Sequence, residues 1–219
     1  VGRLFSLLAT DKSVGMGLLN HGISCFRDNA KQAYDRMINL VDLAEKYLIN
    51  QNAWELEKPL GGLSTKPMRN EIAQLRQSIS AVITSPVLFN LTNSERGIDF
   101  SNQDDVTSIA TRGPVTPDHV IRTKRIPMIG CDVNQYIEEY ASYFDTHEPN
   151  AKQRKTMLDA APRVILDQEF GLCAVGKNMG EIGIIADLYE HTMQCILRAE
   201  ELGGWQALPA ADIFDLEYW

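Results

Sequence analysis

Apolar side chains between residues 30 and 48 recur at the spacing of one face of an α-helix. Seven positions, at steps of mostly three or four residues, make up this stripe: Ala30, Ala33, Tyr34, Met37, Val41, Ala44 and Leu48. Asn29 precedes the stripe, and Gln32 lies three positions after Asn29, which is the spacing of an N-terminal capping box. The pattern therefore predicts an amphipathic helix that begins after Asn29.

A tight hairpin is predicted directly before this helix. Two short apolar runs, 17–19 and 23–26, flank a polar turn made of Asn20, His21 and Gly22. Such runs on either side of turn-forming residues are typical of antiparallel strands. An imidazole in a tight turn is held by the backbone and can point into a cleft, so His21 is a candidate functional residue.

The last third of the chain repeats this order of elements. Apolar runs at 163–166 and 171–175 predict two further strands, and Asn178 and Glu181 again have the capping-box spacing. A shift of 149 residues, the separation of Gly22 and Gly171, relates the two segments. It aligns Asn29 with Asn178, Gln32 with Glu181 and His21 with Phe170. The match favours an internal duplication, although any strand-strand-helix module would share part of it.

The region between the two repeats has mixed signals. Proline and glycine interrupt the periodicity at 53–67, which predicts a linker. Apolar spacing then predicts a helix at 68–82, a short strand at 87–89 and a helix at 133–144. Pro117 favours a further helix that begins just before it. Because helices alternate with short strands, the sequence predicts an α/β fold.

The charge balance excludes some classes of partner. Lys and Arg number 21 against 29 Asp and Glu, a formal net charge of −8 that opposes binding to nucleic acid. No apolar run approaches the roughly 20 residues that cross a bilayer, and the start of the chain lacks a signal peptide's apolar stretch. We therefore expect a cytoplasmic protein without a membrane partner. The four cysteines lack CxxC spacing, which favours reduced, buried thiols.

The four histidines show none of the local spacings that bind metal ions, so a metal site would have to be assembled from distant segments. His119 lies beside Asp118 and close to Arg122, Lys124 and Arg125 at a predicted helix start. Such a cluster can hold a small anion, and His119, Arg122 and Lys124 are the candidate ligands. The alternative is a solvated helix terminus with local charge pairing.

Several segments resemble the class II aldolase/adducin family. The first part of the match consists of LLNHGI at 18–23, DNAKQAYDRM at 28–37 and LAE at 43–45. The later part consists of GPVTPDHVIRTK at 113–124, GLCAVG at 171–176 and FDLEYW at 214–219. Together these segments resemble the centre of bifunctional proteins that join a rhamnulose-1-phosphate aldolase-like part to a short-chain dehydrogenase. The resemblance spans nearly the whole chain.

The resemblance implies that residues 1–52 are the C-terminal part of an aldolase-like domain and that residues 68–219 form a second, degenerate aldolase-like α/β module. Three histidines bind zinc in this family, and only His21 matches one of them. The His-x-His pair and the proton-transferring glutamate would precede Val1, and an NAD-binding dehydrogenase would follow Trp219. The implied activity is cleavage of a ketose 1-phosphate by a homo-oligomer, with this segment inactive alone.

Two further functions are compatible with the sequence. One is a non-catalytic, adducin-like scaffold, and the other is a small-anion binding module around His119. The chain starts without Met and ends in an acidic and aromatic run, which favours a segment of a longer protein.

Overall fold

A computed structural model describes residues 5, 7–10, 12–56, 69–92 and 94–219. The chain divides into two compact units, Val1–Glu55 and Leu56–Trp219. The predicted α/β class is confirmed. The predicted linker at 53–67 falls largely outside the described residues and stays a prediction. Within the described ranges, no helix is both long enough and apolar enough to cross a membrane.

The first unit is a hairpin followed by one long helix. Strands β1 (Gly15–Leu18) and β2 (Gly22–Cys25) are antiparallel, and helix α1 spans Ala30–Asn50. The Asn29 side chain accepts a hydrogen bond from Gln32 N at 3.0 Å, which caps the helix as the sequence predicts. No residue of α1 is buried. The apolar stripe of this helix is therefore not covered by a core among the described residues.

The second unit is built on a four-stranded sheet. Its strands are β3 (Leu88–Leu91), β4 (Met128–Ile129), β5 (Val164–Asp167) and β6 (Gly171–Gly176), in the order β3-β6-β5-β4. The β3–β6 and β5–β6 pairs are antiparallel, and the β4–β5 pair is parallel. The remaining α-helices are α2 (Arg69–Ile83), α3 (Glu95–Ser101), α4 (Val106–Ala110), α5 (Val120–Thr123), α6 (Val133–His147), α7 (Met179–Glu201) and α8 (Ala210–Glu217).

Alternate residues of the central strands supply a core on each face of this sheet, as the two-residue strand period requires. Val164 and Leu166 of β5 pack with residues of α3, α4 and α7 on one face. Ile165 of β5 packs with residues of α2 and α6 on the other face. The central strands are buried on both faces, so this unit has three layers, helix on sheet on helix.

The two predicted repeats have the same strand direction and register. In the first hairpin Gly15 pairs with Cys25 and Leu18 with Gly22. The same shift of 149 positions reproduces every pair of the second hairpin, from Val164 with Ala174 to Asp167 with Gly171. Gly22 and Gly171 both have positive φ, at 152° and 71°, which glycine adopts without strain. The predicted likeness of the two strand-strand-helix repeats is confirmed in strand direction and in register.

Five elements differ from the sequence predictions. The polar region after β3 contains α3 and α4, and the segment before α6 contains the two-residue strand β4. The helix predicted to start near Pro117 is a 3-10 turn, Pro117–His119, that continues into α5. The C-terminal run forms α8. These elements are shorter than the window in which an apolar period can be recognised.

Candidate functional site

His21 lies in the turn between β1 and β2. Its backbone N–H donates to Leu18 O at 3.1 Å, and its side chain is exposed. Across the described ranges, no three or more His, Cys, Asp or Glu side chains are placed to hold a metal ion. Zinc sites use at least three protein ligands, so the described residues do not fit zinc by themselves. The assignment of His21 as a zinc ligand stays a prediction.

The structure does not bring the predicted anion ligands His119, Arg122 and Lys124 to one surface. Arg122 is exposed on α5, and Lys124 is buried with its ammonium group inside the second unit. His119 is half-buried, and its Nδ1 atom is buried without a hydrogen-bond partner among the described residues. The ammonium group of Lys124 contacts the Tyr140 hydroxyl and the Glu217 carboxylate. Anion binding at this segment stays a prediction.

Lys124 belongs to a buried polar network that joins α6 to α8. Its Nζ atom donates to the Tyr140 hydroxyl at 2.8 Å and lies 3.5 Å from Glu217 Oε1. The Tyr140 hydroxyl also lies 2.8 Å from Glu217 Oε1 and 2.6 Å from the Tyr218 hydroxyl. Leu158 N in turn donates to the Tyr218 hydroxyl at 3.3 Å. Two hydroxyls, one ammonium and one carboxylate oxygen are thus linked to one another in the interior.

Burial and charge both perturb the groups of this network. Burial lowers the pKa of Lys124, and the carboxylate of Glu217 opposes that shift. Burial, followed by the charge of Glu217, raises the pKa of Tyr140 well above its ordinary value. Glu217 Oε2 is buried and has no hydrogen-bond partner among the described residues. The network therefore includes an acceptor that is not satisfied by the protein.

The backbone at Lys124 is strained. Its φ of 62° and ψ of 173° lie in a region that almost only glycine occupies. A non-glycine residue persists there when its surroundings hold it, and the buried side chain of Lys124 provides that restraint. Tyr136 restrains the same loop, because its hydroxyl donates to Ile126 O at 3.1 Å.

Tyr140, Glu217 and Tyr218 carry no signal in the sequence that marks them as residues of a polar site. Tyr140 has the spacing of an apolar stripe in α6, and the C-terminal run has the composition of an exposed tail. Glu217 is 93 residues from Lys124. A local pattern carries no information on a pair so far apart in the chain.

The class of protein follows from the three-layer unit, because a known family of domains matches nearly all of that unit. The sequence profile described as "Aldolase class II, second domain" matches residues 66–219. The match covers more than half of the chain, so the chain belongs to this family. The resemblance to class II aldolases inferred from the sequence is confirmed.

One part of a longer protein is also similar in sequence to this chain. The uncharacterized oxidoreductase YuxG of Bacillus subtilis (strain 168) is 24% identical over 226 residues. The alignment covers 91% of this chain and 32% of that protein, so the chain spans about a third of the relative's length. No solved structure matches the chain.

Proposed function

We propose that this chain is the central region of a sugar-phosphate aldolase that is joined to a short-chain dehydrogenase in a longer protein. The aldolase part of the proposal is supported by the family of residues 66–219, and the dehydrogenase part by the similarity to an oxidoreductase. The reaction assigned to the longer protein is cleavage of a C–C bond in a ketose 1-phosphate. NAD would serve the dehydrogenase and zinc the aldolase. The 219-residue chain alone is proposed to be inactive.

The proposal rests on the difference between two turns that are otherwise alike. His21 and Phe170 occupy the same position in hairpins of the same register. Phe170 packs against the core on the α2 and α6 face of the sheet, whereas His21 is exposed. An exposed imidazole in a turn fixed by the backbone suits a metal ligand whose partners come from elsewhere. We propose that residues outside this chain supply those partners.

The long helices of the two repeats support the view that residues 1–52 belong to a larger layer. The shift of 149 positions places Tyr47 of α1 on Ile196 of α7. Tyr47 is 56% exposed and Ile196 is 0% exposed. Ala44 likewise corresponds to Met193, which is 1% exposed. The corresponding face of α7 is a core face, and we propose that residues outside this chain cover the exposed face of α1 that contains Ala44 and Tyr47.

The experiment compares the 219-residue chain, the full-length protein and the full-length His21→Ala variant. Bound zinc is measured by elemental analysis and ketose 1-phosphate cleavage by a coupled assay. We expect no cleavage by the chain, zinc and cleavage in the full-length protein, and a joint loss of both in His21→Ala, because a lost metal ligand affects affinity and catalysis alike. His191→Ala, which removes another exposed imidazole, is the matched control.

Three results would contradict the proposal. Cleavage by the isolated chain would show that its own residues suffice. Full zinc occupancy and activity in His21→Ala would remove His21 from the site. A full-length protein that holds no zinc and cleaves no sugar phosphate would instead favour the adducin-like scaffold, whose function would be assembly.

A further inference from the structure

A cavity of about 680 Å³ in the second unit lies along α6, on the side of the edge strand β4. Its walls are formed by α6 and by the segment that leads through β4, with contributions from α4 and the start of α8. Arg125, Tyr143 and His147 are among the residues that line it. All the described residues that line the cavity belong to the second unit.

Arg125 is a half-buried cation that has no anionic partner among the described residues. Its guanidinium carbon lies 5.0 Å from the centre of the Tyr143 ring, and its Nε atom is buried with no acceptor. Within the described part of the chain it forms no ion pair. By contrast, Arg112 lies 2.7 Å from Glu200 and Arg163 lies 2.7 Å from Asp159. A guanidinium offers five donors that fit carboxylate and phosphate oxygens, so Arg125 lacks the partner that this side chain usually has.

The position of Arg125 is fixed on both sides. Lys124, the preceding residue, is anchored in the buried network, and Ile126, the following residue, accepts the Tyr136 hydroxyl at 3.1 Å. The guanidinium group also lies over the Tyr143 ring, which is a cation–π contact. A cation held in place before a ligand arrives loses little conformational entropy on binding.

His147 supplies a second nitrogen group beside the same ring. The His147 and Tyr143 rings have centroids 5.2 Å apart and meet edge to face. Arg125 and His147 therefore both contact Tyr143 and both line the cavity. An imidazole carries an N–H donor in either tautomer, so His147 adds a second possible donor to the cavity wall that holds Arg125.

The rest of the lining selects against a ligand with many negative charges. Hydroxyls come from Thr107, Thr111, Ser142 and Thr146, and carboxylates from Asp132, Glu138 and Glu139. Asp132 caps α6 by accepting from Gln135 N at 3.0 Å, and Glu139 accepts from the Gln135 side chain at 2.8 Å. Carboxylates repel a second anion but accept hydrogen bonds from hydroxyl groups. The complementary ligand is a polyhydroxylated compound with one anionic end.

We propose that this cavity binds a polyol that carries a single terminal phosphate monoester or carboxylate, with Arg125 as the anchor of the anionic group. His147 assists Arg125, and the hydroxyls and carboxylates along α6 bind the hydroxyl groups. The inference does not rest on His21, on zinc or on the activity proposed for the longer protein.

The test measures binding to the 219-residue chain by isothermal titration calorimetry at fixed ionic strength. The probes are sorbitol 6-phosphate, gluconate, neutral sorbitol and inorganic phosphate. We expect one of the two charged polyols to bind at least about tenfold more tightly than sorbitol or phosphate alone, since a charge-assisted hydrogen bond contributes roughly that factor. Which of them binds more tightly distinguishes phosphate from carboxylate recognition.

Variants locate the site. Arg125→Gln should weaken binding about tenfold or more, whereas Arg154→Gln, which removes an exposed charge outside the cavity lining, should change it less than about twofold. Arg125→Lys keeps the charge but loses the planar guanidinium group, so its affinity should lie between those of the wild type and Arg125→Gln. If Arg125→Gln does not fold, the affinity of Arg125→Lys tests the role of Arg125. Equal binding of sorbitol and sorbitol 6-phosphate, equal losses in the Arg154 and Arg125 variants, or Kd values above about 10 mM for every probe would overturn the proposal.

Discussion

Lys124 and Glu217, 93 residues apart in the chain, form an ion pair of 3.5 Å in the interior of the second unit. Their side chains are 6% and 1% exposed. Tyr140 bridges the pair by contacting both charged groups at 2.8 Å. The pair ties the loop before β4 to the last helix of the chain. It thereby sets the position of Arg125, which follows Lys124 directly.

Removing one member of this pair should be strongly destabilising, because the other charge stays buried without a partner. We expect Lys124→Met and Glu217→Gln each to lower the free energy of unfolding by about 3–5 kcal/mol, measured by urea denaturation. Lys152→Met, which removes an exposed lysine, should change it by less than about 0.5 kcal/mol. The double variant Lys124→Met/Glu217→Gln should lose less than the sum of the single losses, and strict additivity would show that the two groups are not coupled.

The backbone strain at Lys124 can be separated from its ion pair by comparing two truncations. Lys124→Ala and Lys124→Gly both remove the ammonium group, but only glycine adopts φ 62° and ψ 173° freely. We expect the glycine variant to be more stable than the alanine variant by about 1–3 kcal/mol in urea denaturation. At an ordinary helical or extended site the order would be reversed, because glycine loses more entropy on folding. Alanine equal to or more stable than glycine would mean that the loop relaxes at no cost.

The sequence predicted the elements whose signals are local. Asn29 and Asn178 each cap a long helix that follows a hairpin, and both the caps and the hairpins lie where the spacing places them. These predictions succeeded because a side-chain cap and a helical period are properties of neighbouring residues. The shared register of the two hairpins also followed from one alignment of glycines.

The candidate site was less accessible to sequence reasoning. The run that contains Arg122, Lys124 and Arg125 has the composition of a solvated, basic helix end. The structure gives its members three different environments: Arg122 is exposed, Lys124 is buried beside Glu217, and Arg125 lines a cavity. Residues of α6 and α8 create these environments. They are distant in sequence, so the spacing within the run does not predict the contacts.

Acid should destabilise the protein partly through His119. Burial first and the nearby His191 second lower the pKa of His119 below its usual value, while Asp118 opposes the shift. The unfolded chain then binds more protons between the two pKa values, so the free energy of unfolding falls as pH drops from about 6.5 through the folded-state pKa. We expect His119→Gln to reduce this fall, in urea denaturation series between about pH 7.5 and 5. His21→Gln, an exposed histidine of the other unit, is the control; parallel pH profiles for wild type and His119→Gln would contradict the assignment.

The face of α1 that contains Ala44 and Tyr47 should become a core face in the full-length protein, as the corresponding face already is in α7. In the 219-residue chain, Ile196→Ala should cost about 2–5 kcal/mol, because Ile196 is fully buried. Tyr47→Ala, at the matching position of α1, should cost less than about 1 kcal/mol, since more than half of Tyr47 is exposed. Hydrogen exchange of the α1 and α7 amides reports the two costs separately. In the full-length protein we expect the cost of Tyr47→Ala to rise to that of a buried aromatic residue, about 3–5 kcal/mol, while the cost of Ile196→Ala stays the same. An unchanged small cost for Tyr47→Ala would show that nothing in the longer protein covers this face of α1, and residues 1–52 would then not be part of a larger aldolase-like layer.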